Sequence, residues 1–165
     1  MRTAKYPTMT PPRSVLITIE GMSTKNIGAR NRARDVATRM PPHVLVVDDD
    51  AAFAELLTAL LSADRRVRVA GTAADGAEAV DLALELAPDV VLMDLHLPVL
   101  DGVEATRMIR RYLPETRVVV VTSSNDPEDR QRAREAGADA FLPKSVGEEA
   151  LVEAILALGA KAGAR

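Results

Sequence analysis

The 165-residue chain has no cysteine, which excludes disulfides, iron–sulfur clusters and thiolate zinc sites together. Only two histidines are present, so a histidine-rich metal centre is excluded as well. Aromatic residues amount to 2%, with two Phe, two Tyr and no Trp, too few for a platform on which nucleic-acid bases stack. Long hydrophobic runs are also missing. The longest, counting glycine, covers residues 154–160, whereas a membrane-spanning helix takes about 20 apolar residues. What is present is 47% hydrophobic and 27% charged residues, enough apolar material for a packed core. The length suits about one domain, and a soluble, cytoplasmic protein with no membrane partner is expected.

The net charge of −3 conceals an asymmetry. Residues 1–40 carry eight Lys/Arg against Glu20 and Asp35, a balance of +6, which leaves −9 on the remainder. A basic arm on an acidic domain can touch nucleic acid, an anionic lipid surface or the domain itself. The plainer expectation is a disordered basic extension over 1–41, or a start codon placed too early, with Met22 or Met40 nearer the real start. The apolar stretch 15–19 is shorter than a signal-peptide core. A single domain is expected over 42–160, followed by a short tail at 161–165.

From residue 43 the texture is a regular alternation. Short Val/Leu runs at 43–47, 67–71, 90–93, 117–121 and 140–142 read as strands. Between them, Phe53, Leu56, Leu57, Leu60 and Leu61 follow helical spacing, as do Val80, Ala83, Leu84 and Ala87, and Ala105, Met108, Ile109 and Tyr112. A fourth helix starts at Asp126-Pro127 and stops at Gly137. A fifth runs from about 147 to 158 with Leu151, Ile155 and Leu158 inward. The all-valine run 118–121 suits a strand covered on both faces, as in a parallel sheet. The second strand alternates through Arg66, Val67, Arg68 and Val69, which suits an edge. Five βα units with right-handed crossovers give a doubly wound α/β fold.

In such sheets ligands bind beyond the carboxyl ends of the strands. Strand one ends in Asp48-Asp49-Asp50, strand three in Asp94, strand four in Thr122-Ser123 and strand five in Lys144. Asp50 reads as a helix cap. Asp48, Asp49 and Asp94 would converge as three like charges, which calls for a cation, and oxygen-only ligation favours Mg²⁺. A nearby ammonium and hydroxyl suit a phosphoryl group held on a carboxylate, with an aspartate as the nucleophile.

Four blocks carry a resemblance: Val-Leu-Val-Val-Asp-Asp-Asp (44–50), Leu-Met-Asp-Leu-His-Leu-Pro-Val-Leu-Asp-Gly-Val-Glu (92–104), Val-Val-Thr-Ser (120–123) and Gly-Ala-Asp-Ala-Phe-Leu-Pro-Lys-Ser (137–145). In this order and spacing the chain resembles the receiver domain of two-component response regulators, over about residues 42–160. The resemblance implies a flavodoxin-like (βα)5 sheet of strand order 2-1-3-4-5. It implies Asp94 as phosphoacceptor, Asp48 and Asp49 as the metal-binding pair, and the His96 backbone carbonyl as a further ligand of Mg²⁺ beside Asp94. Thr122 would be the switch hydroxyl, Lys144 the paired cation and Phe141 the aromatic that moves with Thr122. Pro98, Asp101 and Gly102 match the family's loop after the acceptor.

The implied function is a single-domain response regulator that takes its phosphoryl group from a sensor histidine kinase or phosphotransfer protein in a phosphorelay. It would be no enzyme beyond its own phosphorylation and dephosphorylation, and would signal by a conformational switch to a protein partner. A homodimer through helix 4, strand 5 and helix 5, with Arg130, Arg132 and Arg134, is a further expectation. Two departures stand out. The family's Lys-Pro, often a cis bond, is Lys144-Ser145 here, and a cis bond without proline costs about 3–4 kcal/mol. His96 and Ser124 each lie two residues after a site residue, flanking the path of an attacking water.

Two other classes share parts of the pattern. Asp48-x-Asp50 after a strand, with a strand-end threonine and a lysine, also resembles haloacid-dehalogenase-type phosphatases. Those enzymes need a further acidic motif after the lysine, and only Glu148, Glu149 and Glu153 follow, on the last helix. A nucleic-acid-binding regulator using the basic arm would lack both a helix-turn-helix and an aromatic platform, so nucleic acid is not an expected partner.

Overall fold

Ten elements alternate along the chain in the computed structural model, which describes residues 40–162. They are β1 (His43–Val47), α1 (Ala51–Ala63), β2 (Arg68–Ala73), α2 (Gly76–Leu86), β3 (Val90–Met93), α3 (Gly102–Tyr112), β4 (Arg117–Thr122), α4 (Pro127–Glu135), β5 (Ala140–Pro143) and α5 (Glu148–Ala162). Nearly all of the basic extension, and the end of the tail, lie outside the described residues. The five strands form one parallel sheet in the order β2-β1-β3-β4-β5, as the resemblance implies. β2 is indeed an edge. No helix among the described residues is long and apolar enough to cross a membrane.

Alternate strand residues face opposite sides. Val44, Val46, Leu92, Val119 and Val121 pack against Leu57 and Leu61 of α1 and Leu151, Val152 and Ile155 of α5. On the other face Val120 meets Val103 of α3 and Ala133 of α4. Both faces are therefore covered, which is why β1, β3 and β4 read as unbroken apolar runs.

Four helices begin with the same device. Asp50, Asp75, Asp101 and Asp126 each accept backbone N–H groups of the first turn of α1, α2, α3 and α4. Such a cap is worth about 1 kcal/mol. In α4 the cap is followed by Pro127, whose missing N–H costs nothing there.

Several boundaries and faces differ from the sequence reading. β2 runs to Ala73 rather than 71, because its register slips once, between Val44 and Leu45, and Val47 then pairs with Ala73. α5 continues past Leu158 to Ala162. Leu56 points outward at 53% exposure, and Leu84 and Ala87 are exposed too. The inward stripes are narrower than spacing suggests: Leu57 and Leu61 fill α1, while Ala79, Val80 and Ala83 fill α2. Ala87 adopts φ 44° as the cap of α2 and so leaves the helical repeat.

Candidate functional site

The carboxyl ends of β1 and β3 are adjacent strands in register, with Val47 opposite Met93. The next residue of each is therefore placed side by side. The Asp94 N–H donates to the Val47 carbonyl (3.0 Å) and the Asp48 N–H to that of Ala73 (3.1 Å), so the sheet ladder itself positions both aspartates. They are 3% and 5% exposed, respectively for Asp48 and Asp94, while Asp49 is exposed. Carboxylate oxygens of Asp48, Asp49 and Asp94 all lie within 4.8 Å of one another.

Lys144 answers this charge. Its backbone N–H donates to the Thr122 carbonyl at 3.0 Å, which aims the side chain back across the rim. Nζ lies 2.7 Å from Asp48 Oδ2 and 3.1 Å from Asp94 Oδ2, and 4.8 Å from the centre of the Phe53 ring. Burial pushes the Asp48 carboxyl up, against the hydrogen bonds from Lys144 and the Asp50 N–H, and the charge of Asp94 adds to the rise. Burial opposes the charged form of Lys144, but its bonds to Asp48 and Asp94 outweigh this and its affinity for a proton is raised. One cation against three carboxylates leaves the cluster net negative. Such a set of oxygen donors, with no sulfur or nitrogen among them, fits a hard divalent ion that keeps part of its water shell.

α3 begins directly behind the Asp94 backbone. A Cβ on Gly102 would stand 1.9 Å from the Asp94 carbonyl oxygen, and the Gly102 N–H donates to the Leu95 carbonyl at 2.8 Å. Only glycine fits there. The loop between β3 and α3 also holds Val99 at φ 68°, an unusual backbone for a β-branched residue.

The β4 and β5 ends complete the rim. Thr122 is buried, and its Oγ1 accepts the Ser124 N–H at 3.1 Å, which leaves the hydroxyl proton free to donate. Phe141 lies three residues before Lys144 on β5, half-buried, with the Arg130 guanidinium 5.7 Å from its ring centre. A cavity of about 20 Å³ separates it from Thr122, enough for one water. The Lys144–Ser145 peptide is trans.

His96 is an exposed loop residue, its side chain 65% accessible, with Nε2 3.3 Å from Asp129 Oδ2. Asp50 caps α1 and does not join the cluster. The rim thus brings Asp48, Asp49, Asp94 and Lys144 together, with Thr122 at the end of the neighbouring strand β4 and Phe141 lining the same small cavity as Thr122. Asp129 had no signal in the sequence: it looks like any first-turn acid. Phe53 reads there only as core.

The family model for the response regulator receiver domain matches residues 44–156. Among curated proteins, the transcriptional regulatory protein LiaR of Bacillus subtilis is 41% identical over 114 residues, covering 69% of this chain and 54% of LiaR. A protein-glutamate methylesterase/protein-glutamine glutaminase of Nitrosospira multiformis is 43% identical over 108 residues, 64% of this chain and 30% of that protein. Among solved structures, the signal receiver domain of NarL from Mycobacterium tuberculosis superposes with a TM-score of 0.71 at 34% identity, covering 74% of this chain and 98% of that one. The chain spans about half or less of the length of these curated relatives.

Proposed function

This chain belongs to the response regulator receiver family, and we propose that Asp94 is its phosphoacceptor. The observation that carries the reading is the Lys144 ammonium bridging Asp48 and Asp94 at 2.7 and 3.1 Å, one residue beyond two buried strands. Asp48, Asp49 and Asp94, with the His96 backbone carbonyl, would hold Mg²⁺, which supplies neutralisation of the phosphoryl charge when bound.

An Asp94 carboxylate oxygen adds to the phosphorus of a phosphohistidine on a sensor kinase or phosphotransfer protein. The phosphorus–nitrogen bond breaks and its electron pair returns to the imidazole. Lys144 then exchanges part of its carboxylate contact for a phosphoryl oxygen, and the free Thr122 proton is donated to another. Phosphorylation replaces one negative charge by about two, so the ends of β4 and β5 are drawn inward. Phe141 turns into the space beside Thr122, and the face of α4, β5 and α5 changes for a downstream protein or a second copy. The chemistry is limited to the domain's own phosphorylation and hydrolysis, in the cytoplasm.

The test is labelling with acetyl phosphate and Mg²⁺. One phosphoryl group of about 80 Da, labile to hydroxylamine as an acyl phosphate is, should appear on the protein and be absent from Asp94→Asn. Labelling that survives in that variant, or maps to Asp48, would instead favour a phosphatase-like use of the first strand end.

A further inference from the structure

Asp129, in the first turn of α4, ties together the loop after β3, the loop after β4 and the start of α3. Ser124 Oγ donates to its Oδ2 at 2.8 Å, and His96 Nε2 lies 3.3 Å from the same oxygen. Arg132 reaches its Oδ1 at 3.7 Å and Asp101 Oδ2 at 3.7 Å, so the carboxylate is braced toward the start of α3. The side chain is 17% exposed. It lines both the small cavity beside Thr122 and a cleft of about 420 Å³ that opens beside Asp49 and His96. Among the described residues no other charged residue borders both.

A hydroxyl has a single proton to donate. That of Ser124 is committed to Asp129, while Ser124 Oγ accepts the Asp126 N–H at 3.2 Å. While the contact stands, Ser124 therefore has no proton to donate, either to a phosphoryl oxygen or to the oxygen of a water at Asp94. The imidazole of His96 is drawn to the same carboxylate and held off the cluster.

We infer that Asp129 is a positioning residue that prolongs the phosphorylated state by keeping Ser124 and His96 away from the phosphoryl group. The inference rests on Asp94 being the acceptor. In the step it slows, a water oxygen adds to phosphorus and the bond to the Asp94 oxygen breaks. The electron pair returns to the carboxylate, and inorganic phosphate leaves with the water's proton released to solvent.

The experiment follows loss of the phosphoryl group after the full chain is labelled with acetyl phosphate and Mg²⁺ and then freed of donor. Asp129→Ala should shorten the half-life about fivefold, the scale of one hydrogen bond, and Asp129→Asn less, since its amide oxygen still accepts from Ser124. In a Ser124→Ala background the effect of Asp129→Ala should shrink, because the two act as one unit. Glu128→Gln, which removes a charge from the same helical turn without touching Ser124 or His96, should leave the half-life unchanged. An unchanged half-life in Asp129→Ala, or an equal effect from Glu128→Gln, overturns the inference alone. Failure of the unaltered protein to label at all overturns the acceptor reading and this inference with it.

Discussion

On the β1–β3 side of the rim Asp48 and Asp94 are buried, and each is tied more than once. Asp48 and Asp94 hang from the sheet ladder, share Lys144, and have the start of α3 packed against the Asp94 carbonyl. On the β4–β5 side the groups rest on lighter supports. α4 is nine residues long and buries only Ala133, and Phe141 is half-buried on the small cluster of Leu95, Val103, Val120, Ala133 and Ala136, with the guanidinium of exposed Arg130 over its ring. Local stability follows buried apolar contact. The first side is built to keep reacting groups in place, whereas the second can move at small cost. A phosphoryl group sitting between them would pull on the weaker side.

The largest effect is expected from removing the exposed member of the acidic cluster. Asp49→Ala should slow phosphorylation by acetyl phosphate at least about 100-fold, the scale of a lost metal ligand. Its fold should persist, with a thermal midpoint equal to or slightly above the parent in the absence of Mg²⁺ as like-charge repulsion is relieved. Mg²⁺ should raise the parent's midpoint, as any ligand of the native state does, and should not raise that of the variant. Normal labelling of Asp49→Ala would remove it from the ligand set.

Next in size is a backbone test of the rigid side. Gly102→Ala would force a Cβ to within 1.9 Å of the Asp94 carbonyl oxygen, so α3 or the acceptor must shift. The expected cost is about 2–3 kcal/mol in denaturant unfolding. Gly147→Ala, with open space around the added carbon, should stay within about 0.5 kcal/mol. Equal costs would mean that α3 is not braced against the acceptor.

A modest effect on stability, and the sharpest on signalling, is expected from Thr122→Ala. It should still take phosphate, losing about 1 kcal/mol with the bond from the Ser124 N–H. Amide exchange over residues 123–145 should change on phosphorylation of the parent and change little in the variant. A response confined to α1 and α2 would show that the signal leaves by the other side of the rim.

The alternation of apolar runs and helical stripes was enough to determine five βα units, and the residues closing each strand were legible as acids, a hydroxyl and an ammonium. Both follow from local rules: strands covered on two faces need unbroken apolar runs, and a parallel sheet puts every strand end on one rim. Only the tertiary structure decided which side chains meet. The register slip in β2 depends on pairing with β1, and the outward turn of Leu56 depends on where α1 lies against the sheet. The contacts of Asp129 depend on two loops, one carrying His96 and the other Ser124, closing on one turn of α4. A sequence lists neighbours along the chain, and contact across a sheet is set by which strands pair and in what register. Those are properties of the packed core as a whole, which no single segment carries.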